Sequence, residues 1–89
     1  MSDIRRIQRA VGEVLIPEAR ANQHDLPTME STLPIALELV YTALAMKPTY
    51  QRAGLIVAER YVARMGLDPA QVVAFAQHRI AEELAAPDA

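Results

Sequence analysis

Two histidines are the side chains best suited to chemistry, and each has an acidic neighbour. His78 and Glu82 are four residues apart, so on a helix they would share one face and offer two ligands to a metal ion. A metal site usually needs at least three ligands of fixed geometry, whereas a surface His–Glu pair on a helix is far commoner. His24 and Asp25 are adjacent in a polar stretch, where a solvated pair is the usual meaning. We therefore predict no metal site and no cofactor.

The sequence also lacks the other means of catalysis. It has no cysteine, which excludes a thiol nucleophile, thiolate zinc ligands and disulfide bonds. Only three glycines are present and none forms a phosphate-binding loop, and no nucleophile motif occurs. We predict that the protein is not an enzyme.

Length and composition indicate a single helical domain over residues 1–89. Hydrophobic residues make up 52% of the chain but aromatics only 4%, so the core must consist of aliphatic side chains and alanine. The net charge of −2 argues against a surface attracted as a whole to nucleic acid or anionic lipid. No signal peptide is evident, and no apolar run approaches the roughly 20 residues that a spanning helix needs. These features predict a cytoplasmic protein without a membrane partner.

Hydrophobic periodicity predicts an all-α fold, either a compact bundle or an orthogonal array of about four helices. Pro17 is expected to end or kink the first helix, because proline removes a backbone donor and disfavours helix at the residue before it, and one helical turn over residues 17–20 is the alternative. The residues that follow, 17–31, form the predicted polar connection. The predicted helices span about residues 3–16, 32–46, 49–65 and 69–85.

The last two helices are separated by the clearest turn in the sequence. Gly66 can take the left-handed conformation that closes a helix, Asp68 is placed as an N-cap, and Pro69 suits the first helical position. The surrounding stretch, RYVARMGLDPAQVVAFA, resembles a helix-turn-helix frame at a set of apolar and turn positions. These are Tyr61, Met65, Gly66, Leu67, Val72 and Phe75.

That resemblance implies an alternative function, a DNA-binding transcriptional regulator that uses residues of about 58–80. Its DNA contacts would come from the polar side chains Gln71, Gln77, His78 and Arg79. A recognition helix presents its first exposed side chains to base edges, but here Ala70, Val73 and Ala74 occupy most of those positions. A well-capped helical hairpin without a DNA-binding role accounts for the same residues. DNA binding is therefore kept as the alternative to protein binding.

Apolar residues exceed what one face of each helix can hold. On the predicted second helix Leu33, Leu37, Val40 and Leu44 form one stripe, and a second stripe lies roughly opposite. On the predicted third helix the core face is expected to be Tyr50, Gly54, Val57, Ala58, Tyr61 and Met65. The apolar and cationic residues left over are assigned to a protein interface. They are Ile35, Leu39, Met46, Arg52, Ile56, Arg60 and Phe75.

These observations predict a small protein–protein interaction module, acting as a regulator, inhibitor or accessory subunit. Symmetric homodimerisation is the simplest way to cover a surplus stripe. Alternatively, the predicted second helix is the centre of the monomer and the other exposed apolar residues need no partner. Arg52, Ile56 and Arg60, at successive steps of four residues, suit an acidic protein partner, although a solvated face fits equally well. A small-ligand site inside the bundle is a third alternative.

Overall fold

The computed structural model of the protein describes residues 3–23 and 29–86, which form an all-α bundle as predicted. Two short helices and a π-helical segment form the first helical run, and three longer helices follow. The elements are α1 (Asp3–Ala10), the π segment (Val11–Leu15), α2 (Ile16–Ala21), α3 (Met29–Leu44), α4 (Pro48–Arg64) and α5 (Pro69–Ala85).

Pro17 does not end the helical run, which continues to Ala21, so the alternative of a further helical turn after the proline is the one that the structure has. The π segment precedes this proline, and the Ile16 N–H donates to the Val11 carbonyl five residues earlier. Pro17 then stands at the start of α2, where its missing N–H is best tolerated. Within the predicted connection 17–31, α2 takes the first residues and α3 begins at Met29.

α3 is the central helix of the bundle and packs against the π segment, α2, α4 and α5. Leu37, Val40 and Leu44 of its first predicted stripe are buried, whereas Leu33 is exposed. The largest fully buried side chains come from α3, from α4 and from the π segment, so one core joins these three elements. They are Tyr41, Leu15, Val11, Val40 and Val62.

The orientation of α4 differs from the predicted one. Ala58 of the predicted core face is buried and Met65 packs against the core, but Val62 joins them. Tyr50, Val57 and Tyr61, also predicted to be core residues, are exposed. The side of a helix that approaches a neighbour most closely must carry small side chains, and Ala58 fulfils that requirement on α4. The larger apolar side chains therefore lie beside the α3–α4 contact instead of within it.

The turn between α4 and α5 has the predicted form. Gly66 adopts a φ of 84° and donates its N–H to the Ala63 carbonyl at 3.0 Å, while the Leu67 N–H donates to the Val62 carbonyl at 3.3 Å. This pair of bonds is a Schellman motif. The Asp68 carboxylate accepts the Ala70 N–H at 3.0 Å, which confirms the predicted N-cap.

The connection between α3 and α4 is short and is held by two side chains. Gln51 of α4 donates from Nε2 to the Leu44 carbonyl at 3.0 Å. Gln8 of α1 donates from Nε2 to the Ala45 carbonyl at 2.9 Å. Leu44 is the last residue of α3 and Ala45 follows it, so no helical N–H is available to either carbonyl. The end of α3 is therefore fixed to α4 and to α1.

Candidate functional site

An apolar groove with a volume of about 690 Å³ lies between α3 and α4. It forms because α4 folds back along α3 after a short turn, so that one side of each helix faces the same space. The wall on the α3 side, here called the α3 wall, consists of Ile35, Glu38, Leu39, Thr42 and Ala43, and of Met46 just beyond the end of the helix. The α4 wall consists of Tyr50, Ala53, Gly54, Val57, Ala58 and Tyr61.

Small residues form the floor of the groove, where the two helices touch. A Cβ atom built on Gly54 would lie 2.6 Å from the Met46 sulfur and 3.5 Å from the Ala43 Cβ. The first distance is far below a normal contact, so a glycine is required here for Met46 to keep its position. Gly54 and Met46 together set the depth of the groove at this end.

Large apolar side chains stand along the walls with much of their surface uncovered. Tyr50 is 64% exposed, Val57 is 52% exposed and Tyr61 is 49% exposed, and all three lie on one side of α4. The lining residues extend over about 16 Å along each helix, which is about three helical turns. A continuous apolar surface of this length matches the anchor spacing by which grooves hold an amphipathic helix.

The polar groups of the α3 wall are already bonded within the chain. The Thr42 hydroxyl donates to the Glu38 carbonyl at 2.8 Å. The Glu38 carboxylate accepts from Arg20 Nε at 2.8 Å and from Gln23 Nε2 at 3.3 Å. The hydrogen bond to Glu38 raises the pKa of Arg20 above its ordinary value. The α3 wall therefore offers mainly apolar contact to anything in the groove.

The structure brings together only part of the predicted interface. Ile35, Leu39 and Met46, the second stripe of α3, line the groove. The other predicted residues do not line it: Arg52, Ile56 and Arg60 are exposed residues of α4, and Phe75 lies on α5. Sequence reasoning missed Tyr50, Val57 and Tyr61. No signal in the sequence set them apart, because their spacing is also that of core residues.

Phe75 borders a second hollow of about 530 Å³ between α2, α3 and α5. Arg79 lies in its wall and pairs with Glu18 at 3.0 Å and with Glu82 at 3.7 Å. Tyr41 reaches the same hollow from the core, and burial raises the pKa of its hydroxyl. This hollow is lined by more polar groups than the groove, and its charged groups neutralise one another.

The side chains of the DNA-binding alternative are spread along α5. Gln71, Gln77 and His78 are exposed, but Arg79 is held by two carboxylates and is largely covered. His78 Nε2 lies 3.0 Å from Glu82 Oε1, so the pair predicted from the sequence forms. Within residues 3–23 and 29–86, no group of three potential ligands could hold a metal ion. His24 and Asp25 lie outside the described residues.

Comparisons with known proteins give no relative from which a function could be transferred. No protein family, no curated protein and no solved structure shows significant similarity to the chain. Among the described helices, none is both long enough and apolar enough to cross a membrane. The groove and its surroundings are therefore the features from which a function can be inferred.

Proposed function

We propose that the protein is a protein-binding module, and that the groove between α3 and α4 docks a helical segment of a partner. The observation that carries this proposal is the continuous apolar wall of the groove, with three large α4 side chains about half exposed. Contiguous exposed apolar surface of this kind marks interaction sites in small domains. Regulators, inhibitors and accessory subunits all act through such contacts.

The exposed apolar side chains of the groove would contribute part of the binding energy of a partner. Full burial of a large apolar side chain contributes about 1.5–3 kcal/mol, so covering the exposed half of one groove residue contributes about 1 kcal/mol. Ile35, Tyr50, Val57 and Tyr61 together could contribute about 4 kcal/mol, before their half-buried neighbours Leu39 and Met46 are counted. That sum is a gross gain, and apolar and polar contacts of the partner must add to it before the cost of association is met.

Two adjacent residues of α4 offer a matched test. Val57 is 52% exposed and lines the groove, whereas Ile56 is 46% exposed and lies outside it. Both are β-branched and lie in the same helix, so an aspartate at either position should change stability by similar small amounts, within about 0.5 kcal/mol. Only Val57→Asp would place a charge against a docked segment.

We expect Val57→Asp to weaken partner binding at least about a hundredfold, because it removes an apolar contact and desolvates a carboxylate. Ile56→Asp should lose far less affinity, because its carboxylate lies outside the groove and pairs with Arg52 or Arg60 of its own helix. The assay is affinity capture with the three proteins as baits, quantified by mass spectrometry, with helicity checked by circular dichroism. A partner lost with Ile56→Asp and retained with Val57→Asp would move the interface to the outer face of α4. Retention by both variants would refute docking at either surface.

Homodimerisation is distinguished by a measurement of solution mass. If light scattering finds a dimer that Val57→Asp converts to a monomer, the segment in the groove belongs to a second copy of the chain. A dimer unaffected by Val57→Asp would place self-association elsewhere, and the hollow beside Phe75 would be the next surface to mutate.

A further inference from the structure

The ion pairs of the protein are unevenly distributed. On the first helical run and α5, three arginines pair with carboxylates: Arg9 with Glu13, Arg20 with Glu38, and Arg79 with Glu18 and Glu82. Arg5 and Arg6 of α1 have no carboxylate of the described residues within ion-pair distance, and Arg6 donates to the Leu84 carbonyl. On α4 the arginines Arg52, Arg60 and Arg64 have no carboxylate of the described residues within ion-pair distance. In a chain with a net charge of −2, this makes α4 a locally cationic surface.

Two of these arginines lie at the edge of the groove. The Arg64 guanidinium stands 5.9 Å from the centre of the Tyr61 ring, and Tyr61 is part of the groove wall. Arg60 follows the lining residue Ala53 by seven positions, which places both on the same side of α4. Arg52 lies further round the helix and does not border the groove.

Arg60 and Arg64 are one turn apart and carry the same charge. Like charges at this spacing destabilise a helix. Carboxylates of another molecule would remove that repulsion and gain two charge-assisted hydrogen bonds.

The opposite edge of the groove has a different character. Glu38 is the charged residue of the α3 wall, and Arg20 and Gln23 already occupy its carboxylate. An occupant therefore meets an apolar floor, a largely neutralised edge on α3 and a cationic edge on α4. The electrostatic complement of this surface is an amphipathic helix with acidic residues along one flank.

We infer that the groove selects an acidic amphipathic helix of a partner protein, with two carboxylates three or four residues apart facing Arg60 and Arg64. This inference rests on the proposed docking function and adds the charge and spacing of the docked segment. A second copy of the chain fits less well, because α4 carries three arginines and one glutamate, and a symmetric contact through it would repeat the same cationic edge.

A displayed library of helical peptides tests the inference without knowledge of the natural partner. In this library the i, i+4 and i+7 positions, which face the groove, are fixed as apolar residues. The flanking positions are randomised. Selection is carried out against the wild type, against the double variant Arg60→Gln with Arg64→Gln, and against Val57→Asp. Arg52→Gln is the matched control, because it removes an arginine of the same helix that lies outside the groove.

We expect peptides selected with the wild type to carry Asp or Glu at paired positions, three or four apart, on one flank. Their affinity should fall at least about tenfold in the double variant and less than about twofold with Arg52→Gln. Higher salt should weaken the acidic peptides, since partly exposed charge pairs are screened.

The possible failures separate the two proposals. Peptides that need Val57 but show no acidic bias would overturn the inference and leave the docking function in place. An acidic bias that persists in the double variant would also overturn it, because other groups would then recognise the charge. Peptides that bind Val57→Asp as tightly as the wild type would refute the docking function itself.

Discussion

Gly54→Ala should weaken docking in the groove while leaving the fold nearly as stable as before. The added methyl group would lie 2.6 Å from the Met46 sulfur and 3.3 Å from its terminal carbon. Carbon and sulfur atoms need more than about 3.5 Å, so the end of Met46 must move by about 1 Å or more. Ala43, at 3.5 Å, is in ordinary contact and need not move.

Two opposing terms decide the change in stability. Replacing glycine by alanine inside a helix contributes about 1 kcal/mol, because alanine restricts the unfolded chain and favours helix. Moving Met46 into a less favourable rotamer costs about 0.5–1.5 kcal/mol. Met46 is half-buried and flexible, so its end can turn into the groove without displacing α3. The free energy of unfolding should therefore stay within about 1 kcal/mol of wild type, equivalent to about 4–8 °C in Tm.

The displaced thioether should fill part of the groove floor and weaken binding of the selected peptides at least about tenfold, or about 1.4 kcal/mol. Thermal unfolding and fluorescence polarisation measure the two quantities. Gly12→Ala is the control, because Gly12 is an exposed helical residue and an added methyl group there would meet no atom within 4 Å. It should raise stability by up to about 1 kcal/mol and leave binding unchanged. Unchanged binding with Gly54→Ala would mean that the docked segment does not reach the floor, and a loss of several kcal/mol in stability would mean that Met46 cannot move.

Two further predictions concern the fold that supports the groove. Gly66→Ala should destabilise the protein by about 1–2 kcal/mol, because Gly66 has a φ of 84° that a side chain disfavours. Gly66→Asn should lose less stability, since asparagine tolerates this conformation better. Equal melting temperatures for the wild type and both variants would contradict this prediction. Tyr41 should make the fold sensitive to alkaline pH, because burial raises the pKa of its hydroxyl above the ordinary 10.0. The neutral hydroxyl stabilises the folded state below pH 10.0, and this contribution is lost as the pH rises above it. Urea unfolding at about pH 9 and about pH 11 should show a larger loss for the wild type than for Tyr41→Phe, and equal losses would show that the Tyr41 hydroxyl is not shielded.

Local chemistry explains which parts of the fold could be predicted from the sequence. The left-handed Gly66 and the Asp68 cap depend on the intrinsic preferences of a few neighbouring residues, so both were predictable. The passage through Pro17 was not, because it depends on the π segment before it. A π turn changes the helical register by an amount that periodicity does not anticipate.

The candidate site was predictable on α3 but not on α4. Ile35 and Leu39 stood out because they lie opposite a stripe that fills the core, and the structure places both in the groove. On α4 two apolar sides compete, and hydrophobicity alone favoured the side with Tyr50 and Tyr61. Gly54 and Ala58 were correctly placed on the side that meets α3, but a hydrophobic pattern does not show that such a close approach leaves the large side chains beside the contact.

The two glutamines at the end of α3 have a consequence for the kinetics of binding. Gln51 ties the Leu44 carbonyl to α4 and Gln8 ties the Ala45 carbonyl to α1, so the walls of the groove are held in position before anything binds. A preformed groove loses little conformational entropy on binding. The ordering cost then falls on the docked segment, which must become helical. Partners whose segment is already helical should therefore associate faster and bind more tightly than disordered partners of the same sequence pattern.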